Sequence, residues 1–486
     1  MTLPAIVIAA VLAAGTSVHF PVSTDDPQAQ AAIDRGLFLY YAYNGDAAAQ
    51  SFDQAASREP GLAAAFWGIA LAEGPDLNTP MTAAHFDIAQ RAIRHAVPLS
   101  ATASERERSF VAIMARRYAG TFADWNADDA SYRNAMAAFA RSSSDEDAEL
   151  LAAEALLEHG GLSWQSGRLA SNESQTALEL DAAVLRNDPS NVMANHLCIH
   201  LYDLAPDRSA ALPCARRLDA AAFPAQAEHL AHMPAHYWIE TGDYSAALAS
   251  SERAYALLLQ LEDADEDAEH VRHYLKHDVA VGYSAAMMLG DYATAQLWSA
   301  RMDTAYDTSF DALTALRFGR YSEAYAAPDS AFGDPAVRGI AALHLARTNE
   351  ANAIATRSAK NPPTHGYLPQ LLLARVAEAD GRAVEAQRWI TQAAADQSAD
   401  FSGELIPLLP AQEVLGFFQL RRGANAEAAA AFTQTLALYP NDPRALYGLA
   451  SALASDGQNA AAAAIRARFT KEWEGADTRL DGADLP

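Results

Sequence analysis

The stretch from Gly416 to Pro440, GFFQLRRGANAEAAAAFTQTLALYP, decides how this chain folds. Its Gly416, Ala428, Phe432, Thr435 and Pro440 stand twelve, four, three and five residues apart, and Gly36, Ala48, Phe52, Ala55 and Pro60 repeat those steps. A further unit follows at a step of 34, with Gly423 answered by Gly457 and Ala428 by Ala462. A Gly-x-Tyr-x-x-Ala turn recurs at Gly242/Tyr244/Ala247, Gly290/Tyr292/Ala295 and Gly319/Tyr321/Ala324, and another unit runs through Gly381, Ala386 and Ala393. Alanine, leucine and glutamate dominate, prolines and glycines punctuate short segments, and alternating β-branched runs are scarce, so helices are expected throughout. Small residues let two antiparallel helices approach closely, glycine permits the tight turn between them, and proline ends the second.

This spacing resembles the tetratricopeptide repeat. The resemblance implies an all-α solenoid of antiparallel helix pairs, wound as a superhelix with a concave groove, in which each repeat covers its neighbour's apolar face. The 486 residues exceed what one hydrophobic core organises, which suits such an array. Four segments are expected: a signal peptide over 1–18, an N-terminal helical region over 19–187, histidine-bearing repeats over 188–305 and C-terminal repeats over 306–486. Between Ser100 and Asn187 the repeat pattern has drifted too far to count.

Hydrophobic residues make up 51% of the chain, enough for extensive burial. Asp and Glu number 61 against 35 Lys and Arg, a formal net charge of −26 that would repel nucleic acid and anionic membranes. The opening MTLPAIVIAAVLAAGTSVHF holds an apolar run from Leu3 to Ala14, too short for a span of about 20 residues but suited to a secretory signal. Small residues after it predict cleavage between Thr16 and His19 and a periplasmic or secreted protein, although no Lys or Arg precedes the run. No cysteine follows it to carry a lipid anchor. Cys198 and Cys214 each lie eight residues from Pro206. If that is the turn of a helical hairpin they stand at matching heights, and either a disulfide or two buried thiols fits.

Eight of the fourteen histidines fall between His196 and His277, in the clusters NHLCIH, HLAHMPAH and HVRHYLKH. Each cluster holds a pair four apart: His196/His200, His232/His236 and His273/His277. On a helix such a pair shares one face and can grip one metal ion. The pairs are 36 and 41 residues apart, near one repeat, so equivalent helices would bring them to one stretch of groove. A single pair of this kind is unremarkable in a helical protein; three at repeat spacing point to a shared polar site. Imidazole ligation suits zinc, copper, iron or nickel rather than calcium or magnesium. Six histidines exceed one tetrahedral zinc, so either a dinuclear site or supporting histidines are expected. Asp203, Glu228 and Asp278 are the carboxylates at hand to orient imidazoles or act as bases, beside their ordinary capping roles. Pro234 should end or kink a helix near Met233. No Gly-x-Ser-x-Gly elbow, phosphate-cradling loop or dinucleotide fingerprint occurs.

Five stretches taken together, HFPVSTDDPQAQAAIDRGL, FWGIALAEGPDLNTPMT, NHLCIHLYD, HLAHMPAHYWIETGDYSAAL and ALYGLASAL, resemble a group of bacterial exported tetratricopeptide repeat proteins. The likeness runs in order from His19 to about Trp473. The group's HxxxH and HxxHxxxH hallmarks fall here on His196, His200, His229, His232 and His236, with a later histidine at His277. The resemblance implies a shared site without naming a reaction. This chain departs from it at Gly45 and Ala280, where histidines are frequent in the group.

The sequence therefore predicts a transition metal, zinc, copper or iron, held by His196, His200, His232, His236 and His277. His229, His273, Asp203, Glu228 and Asp278 are expected to support them. A peptide, protein or small molecule would occupy the groove, with no nucleic acid and no stable membrane insertion. The rival reading is a non-catalytic scaffold whose histidines are polar contacts for a partner. Whether the chain is an enzyme is not specified by any motif.

Overall fold

The computed structural model describes residues 18–263, 268–327, 335–360, 367–399 and 409–480. The apolar run and its cleavage sites, before His19, thus lie almost wholly outside the described residues. Those described form 24 α-helices, a few 3-10 turns and one two-stranded hairpin that pairs Trp164–Gln165 with Arg168–Leu169. The fold is an all-α tetratricopeptide-type repeat of antiparallel helix pairs. None of the described helices is long and apolar enough to cross a membrane.

Local chemistry starts many of these helices. Asp26, Asn44, Asp145 and Asn191 each accept a backbone N–H two or three residues on, and Ser104 and Glu107 form a reciprocal capping box. The turns are equally regular. At Gly242, Gly319, Gly381, Gly423 and Gly457 the residue has φ between 69° and 78°. In each case its N–H reaches the carbonyl three residues back, and the next N–H reaches five back. This is the Schellman closure, which frees helix-end carbonyls from water and needs the left-handed backbone glycine adopts without penalty.

Packing explains the repeat signature. The Phe52 ring lies against bare backbone at Gly36 and at Gly68, where an added Cβ would come within 2.7 and 2.3 Å of it. Phe432 sits in the same way on Gly416 and Gly448, with corresponding distances of 2.6 and 2.2 Å. Trp298 occupies such a seat at Gly282, again sixteen residues earlier. Each ring is the core contact between adjacent helices, and no side chain larger than hydrogen fits beneath it.

The segment from Ser100 to Asn187 is built from the same helix pairs but holds them differently. Arg117 bonds Asp129 at 2.9 Å and Glu158 at 3.1 Å, and Arg133 closes on Asp129. Buried charge pairing replaces part of the glycine–aromatic pattern there, which is why the spacing fades.

By its internal contacts the chain divides into two compact units. One comprises the described residues up to Pro234 with Ala256–Val271; the other comprises Ala235–Tyr255 with those from Arg272 on. The second unit holds a buried ion pair, Arg317 to Glu413 at 3.0 and 3.2 Å. At Pro234 the helix Glu228–Thr241 continues rather than ends. Proline removes one N–H and crowds the preceding turn, yet Leu230, Met233 and Ala235 around it are fully buried, so tertiary packing holds the helix together.

Gly68→Ala should lower the stability of the first unit by about 1–3 kcal/mol in denaturant titration, because the Phe52 ring must move. Gly61→Ala, at a turn where an added Cβ meets nothing within 4 Å, should stay within about 0.5 kcal/mol of wild type. Equal losses in the two variants would rule out the ring seat.

Candidate metal centre

The helix Val192–Leu201 begins where Asn191 caps Ala194, and every one of its residues is buried. That removes the usual choice of polar face, so His196 and His200, one turn apart, both point into protein. The helix Glu228–Thr241 adds His229. The Nε2 of His196 lies 3.1 Å from Nε2 of His200 and 3.2 Å from Nε2 of His229, and ligand nitrogens of all three fall within 4.8 Å of one another. With metal–nitrogen bonds near 2.0–2.1 Å, the edges of a tetrahedral zinc site are about 3.3 Å. The imidazoles already stand at ligand spacing.

Their chemistry agrees. The Nδ1 of His196 lies 2.9 Å from the carbonyl oxygen of Tyr41. A carbonyl only accepts, so Nδ1 carries the proton and Nε2 presents its lone pair to His200 and His229. This is how a ligating histidine is oriented from behind. The Tyr43 ring covers the group, with centroids 4.4 Å from His196, 5.3 Å from His229 and 6.0 Å from His200.

A second imidazole pair lies in the other unit, where Nε2 of His236 and Nε2 of His277 are 3.1 Å apart and the rings stack at 5.0 Å. Burial holds His236 down to about 4, so it is neutral at ordinary pH and its lone pair is available. His232, fully buried, stands one turn before His236 on the same helix. The five histidines expected to hold metal thus fall into two groups, and His229, expected only to support, stands at the same spacing as His196 and His200 in the first.

The third cluster is read differently in space. His273 is exposed, whereas His270 is buried and its Nε2 lies 2.6 Å from Glu228 Oε1. The carboxylate expected to orient a ligand is therefore engaged with His270. Asp203 and Asp278 are both buried. Gly45 opens the helix Gly45–Arg58, where an added Cβ would come 2.8 Å from the Ala72 carbonyl oxygen, and Ala280 is buried in a hydrophobic cluster. Neither position has room for the histidine found in the resembling group without rearrangement. Sequence reasoning overlooked Tyr43 and His270. Aligning the two matched repeats could have exposed Tyr43, because it stands seven residues after Gly36 as Gly423 does after Gly416.

Cys198 and Cys214 form a disulfide with Cα atoms 6.4 Å apart, tying Val192–Leu201 to the helix Leu212–Ala220. It anchors the helix that carries His196 and His200. For a loop this short the constraint on the unfolded chain contributes roughly 3 kcal/mol.

The class defined by fold and site is thus a tetratricopeptide-type helical repeat with buried, converging imidazoles. No family model and no curated protein matches the chain. Solved structures similar to it include the APC/C hetero-tetramer Cut9–Hcn1, at 12% identity over 94% of this chain and 80% of that one, with a TM-score of 0.35. A human IFIT1 dimer with m7Gppp-AAAA is similar at 11% identity, covering 92% and 91%, with a TM-score of 0.31. Yeast Tom70 is similar at 11% identity over 91% of each chain, with a TM-score of 0.29. These likenesses carry no ligand or partner over to this chain.

In metal-free protein the burial of His236 sets a pH dependence. Its folded value of about 4 lies below the 6.5 of the unfolded chain, which therefore takes up the proton first as pH falls. The stability that neutral His236 contributes is complete above pH 6.5 and should be lost progressively down to about pH 4, by up to about 3 kcal/mol. Chemical denaturation across that range should show a flatter profile for His236→Gln; an unchanged slope would contradict the burial effect.

Proposed function

We propose that this is an exported repeat protein that binds transition metal through two imidazole groups. The first consists of His196, His200 and His229; the second is built on His236 and His277. The observation that carries the reading is the convergence of three buried Nε2 atoms at 3.1–3.2 Å, with the His196 tautomer fixed by the Tyr41 carbonyl. Neutral imidazoles in the interior are otherwise costly to place, because each brings polar atoms that need partners. Three nitrogen ligands leave a fourth position open, the pattern of sites that take up water or a small substrate rather than closed structural ones. A metal bound there would supply Lewis-acid or redox chemistry to a small molecule or peptide reaching that position.

Two further features support the reading. The Cys198–Cys214 disulfide suits an oxidising compartment, in line with the apolar run at the start of the sequence. The net charge of −26 raises the local concentration of cations around the protein. Zinc, copper and iron all fit imidazole donors.

Elemental analysis of the purified full chain tests the proposal. Wild type should carry up to two equivalents of transition metal per chain. His196→Ala with His229→Ala should remove one, and His236→Ala with His277→Ala the other, with helical content unchanged by circular dichroism. His85→Ala with His95→Ala, on a helix outside both groups, should change nothing. Binding should also weaken below about pH 6, since protonated imidazole cannot ligate. The same metal content in wild type and in the four-histidine variant would sink the site and leave the histidines as contacts for a partner.

A further inference from the structure

Tyr43 occupies a backbone position that ordinary side chains avoid. It lies at φ 55°, in the left-handed region, immediately after the helix Pro27–Tyr41 and its cap Ala42. Its N–H reaches the Tyr40 carbonyl at 2.9 Å and the Asn44 N–H reaches Leu39 at 3.0 Å, the same closure made at Gly423 and Gly457. Among the described residues, five such turns have glycine at this place, and the small Ala346, at φ 58°, stands there in another. The turn itself therefore calls for no side chain, and a bulky one is disfavoured there. Residues held in such conformations persist where their surroundings need the side chain in that place.

The surroundings identify the need. The Tyr41 carbonyl accepts from His196, and Asn44 Nδ2 donates at 3.1 Å to the Gln226 carbonyl, just before the helix that carries His229. The turn is thus stitched to both histidine-bearing helices of the first group. Between these two anchors the Tyr43 ring, 4% exposed, lies nearly parallel to His200 and His229, at 19° to each, and at 56° to His196. It is in ring contact with every member of the group.

We infer that Tyr43 is the positioning residue of the first imidazole group: its aromatic face fixes the ring orientations of His196, His200 and His229 and shields the side of the rings it covers. The inference rests on the metal reading for its consequence, but the packing of the rings is independent of whether metal binds. The aromatic surface, rather than the hydroxyl, is the active feature.

The test uses the full chain with Tyr43→Phe and Tyr43→Leu, in two measurements. In metal-free protein, exchange of the histidine C2 hydrogens with deuterium, read by mass spectrometry, reports access to each ring. Tyr43→Leu should accelerate exchange at His196, His200 and His229 at least threefold, and Tyr43→Phe should leave it at the wild-type rate. In a His236→Ala/His277→Ala background, cobalt(II) absorption reports the first group alone. Tyr43→Leu should weaken cobalt(II) binding by about 10-fold or more, the range seen when residues behind metal ligands are changed, and shift the d–d bands, whereas Tyr43→Phe should stay within about 3-fold of wild type. Wild-type exchange rates and spectrum in Tyr43→Leu would overturn the inference, as would a Tyr43→Phe protein as impaired as Tyr43→Leu. If the parent protein takes up no cobalt(II), the metal reading fails, and ring exchange alone decides the role of Tyr43.

Discussion

Phe52 rests its ring on helix backbone laid bare at Gly36 and Gly68, and Phe432 does the same at Gly416 and Gly448. The regular repeats at both ends of the chain depend on contacts of this kind. A ring this size removes enough apolar surface from water to contribute about 1.5–3 kcal/mol, but only if the helices on either side come close enough to enclose it. Glycine allows that approach, and it does so at a cost in helix propensity that a non-repeating protein would not accept at so many places. The repeat follows from the packing, since a seat sixteen residues before the ring and another sixteen after it join three consecutive helices.

Around that frame, the interior of the first unit is unusually polar. His196, His229 and His232 are fully buried, as is Glu228. Such groups are tolerated inside a protein only when each has somewhere to direct its polar atoms. The Tyr41 carbonyl accepts a hydrogen bond from Nδ1–H of His196, and Glu228 engages His270. The disulfide from Cys198 fixes the helix between His196 and His200. The same helix end that supplies the Tyr41 carbonyl also supplies the Tyr43 ring, so one turn sets both the tautomer and the orientation of the group.

Much of this was legible in the residues alone. Helix pairs, their turns at Gly242, Gly319 and Gly423, and the histidines at spacing four all follow from local periodicity, which depends on near neighbours in the chain. The sequence failed where distant segments meet. Pro234 reads as a break because its missing N–H is local, whereas the buried contacts around it that carry the helix through are not. His273 and His277 share a helix face with each other, but His270, on an adjacent part of the same helix, is the one that faces inward to Glu228. Between Ser100 and Asn187 the helices persist while the signature fades, because Arg117, Asp129 and Glu158 pair across helices and the spacing of such charges follows no repeat.

The sequence by itself determined the fold class, since the steps from Gly416 to Pro440 and from Gly36 to Pro60 encode a ring, its seat and a helix stop within a few turns of one another. It also set His196 with His200, and His232 with His236, one helical turn apart, because spacing of four on a helix is a property of the chain. Only the tertiary structure decided how they are shared out: His229 joins His196 and His200, and His277 meets His236 across 41 residues. It likewise placed Tyr43 over the first group. Those choices depend on the angle and height at which separate helices meet, and that geometry is set by the sum of many weak packing contacts rather than by any local run of residues.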